Sequence, residues 1–151
     1  MSIVNSLHVK SIREIQEEIA AEFEVYDDWM DKYNYLIELS RDLPVIDPKQ
    51  KIRENLVNGC QSKVWLNAEY RNGNVHFTAD SDAIITKGIV SLLIRVLSDR
   101  TPGEIIHADL FFIDQIGLRQ NLSPTRSNGL LSMIKQMKLY ALAYQTKYGV
   151  K

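Results

Sequence analysis

Hydrophobic residues before residue 44 recur every three or four positions, which is the spacing of one face of an α-helix. The segment Ser11-Ile-Arg-Glu14 has the form of a capping box, in which a hydroxyl and a carboxylate each bond a backbone amide at a helix start. After it, the apolar stripe of a first helix is predicted at Ile12, Ile15, Ile19 and Phe23. A second helix is predicted to begin near Asp27/Asp28 and to run to Leu43. Pro44 ends it, because proline disfavours helical backbone at the residue before it.

The period changes to two in the middle of the chain, which is the spacing of a half-buried strand. Apolar residues alternate on both sides of Asn72-Gly73, at Val64, Leu66, Ala68 and Tyr70 and again at Val75, Phe77 and Ala79. Asn-Gly between such runs is typical of a two-residue hairpin turn, which pairs Arg71 with Asn74. In that register the apolar residues meet on one face, so turn and pattern predict the same hairpin. A further short strand is predicted around Leu56-Val57.

Helical spacing returns in the second half of the chain. A helix capped by Ser81 or Asp80 is predicted to bury Ile85, Ile89, Leu92, Leu93 and Val96. Thr101-Pro-Gly-Glu104 is another capping box, with proline at the first helical position. A short helix is predicted from Asp109 to Ile116, and Gly117 stops it.

A final helix is predicted to open at Ser123-Pro124, with one side formed by Leu130, Ile134, Met137, Ala141 and Tyr144. The order of elements is then helices, a group of strands, and helices again. This order favours an α+β fold, in which helices pack on one face of a small, about three-stranded antiparallel sheet.

Composition narrows the class of protein. The chain has 151 residues, with 18 Lys+Arg against 19 Asp+Glu. This length predicts a single domain over residues 1–151, and we expect residues 1–10 to be loose. The near-neutral charge offers no basic stripe for nucleic acid.

Targeting signals are not expected. Met1 to Ser11 has no apolar core of a signal peptide, and the apolar stretch from Ile84 to Leu97 is too short to span a bilayer. We therefore expect a cytoplasmic protein that does not insert into a membrane. A single cysteine cannot form an internal disulfide, and a free thiol suits a reducing compartment.

Cys60 is the candidate for chemistry. It stands in Asn58-Gly59-Cys60-Gln61-Ser62, a polar segment before the hairpin. A lone cysteine is commonly a small buried hydrophobe, and this alternative stays open on burial alone. Against it, the neighbouring residues are polar, and Gly59 indicates a sharp loop on which a thiol is available for chemistry.

The hairpin register predicts what surrounds this loop. Extending it brings Lys63 opposite Asp82, so the Cys60 loop and the Asp80–Asp82 turn share one end of the sheet with the start of the third helix. The helix amides would favour a thiolate, whereas Asp80 and Asp82 would disfavour it. An unassisted thiol has a pKa of ~8.5, so little of it is thiolate at neutral pH. We therefore expect Cys60 to react only when a partner protein provides an environment that favours the reaction.

The three histidines exclude a Cys–His hydrolase. His76 falls opposite Glu69, roughly 20 Å from the Cys60 end of the sheet, so it cannot be the base. His107 is expected at the surface and His8 in the loose terminus. No histidine pair has the spacing of metal ligands and no glycine-rich phosphate loop is present, so we expect neither a metal nor a cofactor of its own.

Arg119, Arg126 and Trp65 can each be explained without a functional role. Either arginine is expected to be a solvated surface charge. Arg126, however, lies in a first helical turn, where a cation is mildly unfavourable. Trp65 falls on the polar face of its strand, and we favour a ring covered by the first strand or by an N-terminal helix over a ring that faces a partner.

Beyond these patterns, the segment Gly59-Cys60-Gln61-Ser62-Lys63-Val64-Trp65-Leu66 resembles the signature of the SufE family of sulfur-acceptor proteins. The resemblance spans roughly Tyr26 to Tyr140. It continues through Tyr35-Leu36-Ile37-Glu38-Leu39, Ala79-Asp80-Ser81-Asp82-Ala83, Lys87-Gly88, Thr101-Pro102 and Leu122-Ser123-Pro124-Thr125-Arg126-Ser127-Asn128-Gly129-Leu130.

The resemblance implies a fold shared with IscU-type scaffolds and a role in iron-sulfur cluster assembly. Similar proteins bind and stimulate a SufS-type cysteine desulfurase, whose pyridoxal phosphate (PLP) converts cysteine to alanine and an enzyme persulfide. They take that sulfur on their cysteine and pass it to a SufB-containing scaffold. Carried over by position, Cys60 is the acceptor, it bears a transient persulfide, and PLP belongs to the partner.

Other positions match residues of the cysteine loop or of desulfurase docking. The candidates are Gly59, Gln61, Ser62, Asp82, Arg119 and Arg126. Many relatives have Gln where Lys63 stands and His where Asn121 stands, so proton transfer from position 121 is not required here. We expect a monomer or a weak homodimer.

Two hypotheses follow. The first is a sulfur relay that activates the desulfurase and carries its sulfur on Cys60. The second is a non-covalent adaptor that regulates the desulfurase, with an incidental cysteine. An IscU-like cluster scaffold is disfavoured, because one cysteine cannot hold a cluster without borrowed ligands.

Overall fold

Between residues 9 and 43 the chain forms two helices, as predicted. A computed structural model describes residues 9–151. Helix α1 covers Ile12–Glu24 and starts with the complete Ser11 capping box. Helix α2 covers Trp29–Leu39 and is capped by the Asp28 side chain. The predicted continuation to Leu43 is a 3₁₀ turn, Ser40–Asp42, because a helix that approaches a proline tightens its last turn.

The hairpin has the predicted register. Strands β1 (Val64–Arg71) and β2 (Asn74–Ser81) pair antiparallel, with Arg71 opposite Asn74 and Ala68 opposite Phe77. The turn residues Asn72 and Gly73 have φ values of 52° and 84°, as a type I′ turn requires.

The sheet has two strands in the part of the chain that the structure describes, so the prediction of about three strands is corrected. The predicted strand near Leu56-Val57 is reduced to an isolated bridge between Leu56 and Trp65, with the Val57 amide donating to the Val64 carbonyl at 2.8 Å. It cannot grow longer, because the 3₁₀ turn Arg53–Asn55 precedes it and the loop at Gly59 follows.

Helices α3 (Ile84–Leu97) and α4 (Pro102–His107) follow the hairpin. The Thr101 capping box of α4 is present as predicted. The predicted cap of α3 is wrong: Ala83 is its N-cap and provides no side-chain bond. Ser81 is still part of β2, and its hydroxyl accepts from the Ala83 amide at 3.2 Å, one residue before the helix.

The remaining helices are α5 (Phe112–Gln115), α6 (Leu118–Asn121) and α7 (Pro124–Tyr148). Helix α5 is shorter than the predicted 109–116. Gly117 has a φ of 77° and separates it from α6, which was not predicted. Helix α7 opens at Ser123-Pro124 as predicted, with the Ser123 hydroxyl accepting from the Arg126 amide.

The core lies between one face of the hairpin and the helices. Helix α3 is its centre, and its predicted inner residues Ile89, Leu92, Leu93 and Val96 are at most 2% exposed. They pack with residues of the hairpin, α1, α2 and α7 that include Phe77, Ile19, Leu36 and Met137. The molecule is therefore α+β.

Residues 1–8 of the predicted loose N-terminus lie outside the described residues. Lys10 is held in two ways: its ammonium pairs with Glu18, and its carbonyl accepts from the buried Arg100. Within residues 9–151 we find no helix whose length and apolar character would let it cross a bilayer.

Candidate functional site

The loop that carries Cys60 leaves the short bridge at Val57 and lies against helix α7. Gly59 sits at its bend with a φ of 91°. A Cβ built at Gly59 would lie only 2.4 Å from the Ser132 hydroxyl oxygen of α7. Glycine is therefore required here twice, for its left-handed backbone and for the close approach to the helix.

Cys60 is half-buried and contacts the second turn of α7. Its Sγ lies 3.6 Å from the Gly129 carbonyl oxygen, within reach of a weak hydrogen bond. A Cβ at residue 129 would lie 3.4 Å from the same Sγ, which is ordinary van der Waals contact. Burial raises the pKa of the Cys60 thiol, because a thiolate loses hydration there. The resting thiol is therefore protonated at neutral pH.

The thiol opens onto a cavity of about 380 Å³ between the cysteine loop, α3 and α7. Its walls combine the loop with the first turns of the two helices. The lining residues are Cys60, Gln61, Ser62, Thr86, Ile89, Ser123, Thr125, Arg126, Gly129 and Met133. The lining contains hydroxyls, an amide, a guanidinium and two apolar side chains.

Asp82 lies at the end of the hairpin, as the register predicted. The Lys63 amide donates to its carboxylate at 3.0 Å, and the Asp82 amide donates to the Lys63 carbonyl at 3.3 Å. These bonds close the open end of β1 and β2. Asp82 does not line the cavity.

Asp80 is occupied by cations instead of facing the thiol. Its carboxylate lies 2.7 Å from the Lys51 ammonium and 3.3 Å from that of Lys87. Burial alone would raise the pKa of Asp80, but the hydrogen bonds of these lysines and of the Ser81 amide lower it below its ordinary value. The expectation that Asp80 and Asp82 hold back the thiolate is therefore corrected: burial raises the pKa of Cys60.

The two arginines differ in position. Arg126 lines the cavity from the first turn of α7. Arg119 does not; it is exposed, and its Nε lies 3.7 Å from a carboxylate oxygen of Asp114. Of the predicted candidates, the structure brings Gln61, Ser62 and Arg126 to the Cys60 cavity.

Sequence reasoning missed part of the wall. Thr86 and Ile89 come from α3, whereas Ser123, Thr125, Gly129 and Met133 come from α7. The α3 residues lie at helical spacing on a face predicted only as core. Gly129 offered a detectable signal, since it is a glycine inside a long helix, where it costs ~1 kcal/mol relative to alanine unless something packs against it.

The histidines and Trp65 lie elsewhere. His76 is opposite Glu69 as predicted, and its Nδ1 lies 2.8 Å from Asp99. His107 is exposed at the end of α4. Trp65 is half-buried: it forms a bridge with Leu56 of the predicted first strand, and the Lys51 ammonium lies 4.7 Å from its ring. Across residues 9–151 no cluster of three or more His, Cys, Asp or Glu is arranged to hold a metal ion.

Comparisons with known proteins concern the family and the fold of the chain. A family model described as "SufE: Fe-S metabolism associated domain" matches residues 17–141. SufE-like protein 1 of Arabidopsis thaliana, named as chloroplastic/mitochondrial, is 40% identical over 132 residues. The match covers 87% of this chain and 36% of the plant protein, so the chain spans about a third of that relative.

For two further proteins the match covers most of both chains. An uncharacterised SufE-like protein of Rhizobium etli is 40% identical over 127 residues, which are 81% of this chain and 86% of the relative. A solution structure of a hypothetical protein from Thermus thermophilus superposes with a TM-score of 0.72 at 19% identity. That superposition covers 87% of this chain and 96% of the other, and it concerns the fold.

Proposed function

The chain belongs to the SufE family, and we propose that it is a sulfur acceptor for a SufS-type cysteine desulfurase. In this proposal it docks on the desulfurase, stimulates it, and takes the persulfide sulfur on Cys60. It then passes the sulfur to a SufB-containing scaffold for iron-sulfur cluster assembly. PLP remains with the desulfurase, and the exchange takes place in the cytoplasm.

The observation that carries the proposal is the placement of the one cysteine of the chain. Its thiol lies on a loop, half-buried, at the wall of a cavity of about 380 Å³. A cysteine that served only as a core hydrophobe would be surrounded by apolar side chains, whereas Cys60 has Gln61, Ser62 and Arg126 around the same cavity. An added sulfur atom would have room there.

The chemistry needs one thiol. The Cys60 thiolate attacks the outer sulfur of the desulfurase persulfide, a new S–S bond forms, and the desulfurase thiolate leaves with the electrons of the broken bond. The sulfur later departs through the same bond. Because the chain has no second cysteine, no internal thiol can discharge the persulfide as a disulfide.

The resting geometry slows the reaction of the thiol between encounters. Burial favours the protonated form, and the sulfur contacts the Gly129 carbonyl of the helix backbone. Transfer from a persulfide that a protein donor holds therefore requires docking to release the loop. We assign this docking to the exposed groups next to the thiol, Gln61 and Arg126, and keep Asp82 and Arg119 as docking candidates outside the cavity.

The test compares wild type with Cys60→Ser in the presence of a SufS-type desulfurase, PLP and cysteine. Intact-mass spectrometry should show one added sulfur on wild type and none on the variant, and stimulation of alanine production should be lost. A matched far-UV circular dichroism spectrum shows that the variant folds. Wild type without added sulfur would refute the relay.

The second candidate, a non-covalent adaptor, has a separate outcome. It predicts that Cys60→Ser stimulates the desulfurase as fully as wild type, because docking alone would change the enzyme. The contact between Cys60 and Gly129 gives it a basis, since a thiol that packs on a helix can be purely structural.

A further inference from the structure

The cavity beside Cys60 is larger than a persulfide requires. A single added sulfur atom is on the order of the size of a water molecule, whose share of liquid volume is ~30 Å³. The cavity measures about 380 Å³. This volume lies in the range of small-molecule sites, which runs from roughly 300 to 1,000 Å³.

The cavity also contains polar groups without partners. Thr86 is only 9% exposed, and its hydroxyl makes no hydrogen bond to any described residue. Because no fully buried side-chain oxygen among the described residues lacks a partner, this hydroxyl is itself accessible. What remains accessible of this side chain faces the cavity that it lines. The Arg126 guanidinium forms no ion pair within residues 9–151. A free hydroxyl and an unpaired cation on one cavity indicate a polar ligand that carries a negative charge.

The charge of the lining residues as a whole favours the binding of an anion. It contains one arginine and no aspartate or glutamate among the described residues, and Ser62, Ser123 and Thr125 add hydroxyls. Two of the lining residues, Ile89 and Met133, are apolar. A small molecule that carries a carboxylate and a sulfur-bearing methylene suits this combination of polar and apolar side chains.

We propose that the cavity binds a low-molecular-weight persulfide with a carboxylate, of the size of cysteine persulfide, and that Cys60 takes sulfur from it without a protein donor. The carboxylate lies against Arg126, the Thr86 hydroxyl bonds the polar end, and the persulfide lies beside the thiol. This inference rests on the proposed function, since it needs Cys60 to be a sulfur acceptor.

The step is balanced. The Cys60 thiolate attacks the outer sulfur of the small persulfide, and an S–S bond forms on Cys60 as the S–S bond of the donor breaks. The departing cysteine thiolate takes up a proton from water. No oxidant or reductant is consumed, because one sulfane sulfur moves from one thiol to another.

The experiment measures the rate at which wild type gains one sulfur from cysteine persulfide at increasing donor concentration. Cysteine ethyl ester persulfide, which lacks the carboxylate, is the matched donor. We expect the acid to saturate, with a KM roughly tenfold below that of the ester, because a charge-assisted hydrogen bond is of that order.

The variants locate the site. Arg126→Gln should raise the KM of the acid roughly tenfold and leave that of the ester unchanged. Thr86→Val should raise the KM of both donors. The variant should fold, because the Thr86 hydroxyl has no hydrogen bond to lose. Arg41→Gln, which removes an exposed arginine that does not line the cavity, should change neither.

Two failures are distinguishable. If desulfurase loads Cys60 but the small donors react linearly with concentration, with acid and ester alike, the inference is overturned and the proposed function stands. If neither desulfurase nor small donor loads Cys60, the proposed function itself fails. Saturation that Arg126→Gln leaves unchanged would also overturn the assignment of the carboxylate.

Discussion

The Sγ of Cys60 lies 3.6 Å from the carbonyl oxygen of Gly129, 69 positions later in the chain. This contact joins the cysteine loop to the longest helix and sets the burial of the thiol. The resting state of Cys60 is therefore a half-buried thiol on a loop that packs against α7.

The pH dependence of thiol modification should follow from the burial of Cys60. Burial raises its pKa, so native protein should react more slowly with iodoacetamide at neutral pH than urea-unfolded protein, and its rate should rise at a higher pH. The measurement is the alkylation rate across the neutral and alkaline range. A native midpoint at or below that of the unfolded chain would contradict the burial of the thiol.

The raised pKa of Cys60 also makes the stability of the protein depend on pH. Since the folded state favours the protonated thiol, the contribution of this thiol to the free energy of unfolding is fully present below the pKa of the unfolded chain. It is lost as the pH rises through the higher folded pKa. Cys60→Ser should remove this alkaline loss, which denaturation at a neutral and an alkaline pH would show.

Gly59→Ala should detach the cysteine loop. The new Cβ meets the Ser132 hydroxyl at 2.4 Å, and alanine at a φ of 91° costs a further 1–2 kcal/mol or so. The loop can escape both costs by leaving α7. We expect the Cys60 thiol of the variant to react several-fold faster at neutral pH in the alkylation assay.

Gly73→Ala is the matched control. Gly73 has a φ of 84° at the hairpin turn, but a Cβ there meets nothing within 4 Å. This variant should lose ~1–2 kcal/mol of stability and keep the wild-type thiol rate. Equal thiol rates in the two alanine variants would show that the contact with Ser132 does not hold the loop.

Asp80→Asn should loosen the segment that covers the outer face of the sheet. The Asp80 carboxylate holds the Lys51 ammonium at 2.7 Å, and Lys51 in turn lies over the Trp65 ring. We expect the free energy of unfolding to fall by about 1 kcal/mol at neutral pH, which is at the upper end for partly exposed ion pairs. Urea denaturation measures this change.

The effect should depend on pH in one direction. Hydrogen bonds from the lysines lower the pKa of Asp80 against the opposing effect of burial, so its contribution is present above the ordinary aspartate pKa and is lost as the pH falls through the lowered one. The free energies of unfolding of wild type and variant should become equal at acid pH. A difference that persists at acid pH would show that packing, and not charge, causes the effect of the substitution.

Gly88→Ala should test the closest helix contact. A Cβ at Gly88 of α3 would lie 2.2 Å from the Leu36 carbonyl oxygen of α2, and neither backbone can move freely. Overpacking of this kind costs ~1–3 kcal/mol, which thermal or urea unfolding would measure.

Local patterns predicted most of the elements correctly. The Ser11 and Thr101 capping boxes and the Asn72-Gly73 turn are each formed within a few residues, so their chemistry is visible in a short stretch of sequence. The predictions that failed depended on neighbours. Ser81 does not cap α3 because the pairing with β1 extends β2 through that residue, and the segment at Leu56-Val57 stays a bridge because of the turns around it.

The sequence by itself determined the hairpin register, the end of the sheet at which Cys60 lies, and the motif that resembles SufE proteins. These follow from a period of two, a turn type and residue identity. Only the tertiary structure decided what Cys60 faces. It packs against α7 and a cavity wall built from two helices, and the carboxylates of Asp80 and Asp82 are held by other groups. The physical reason is that the pKa and the surroundings of a thiol depend on burial between distant segments, and no local pattern in the sequence encodes that packing.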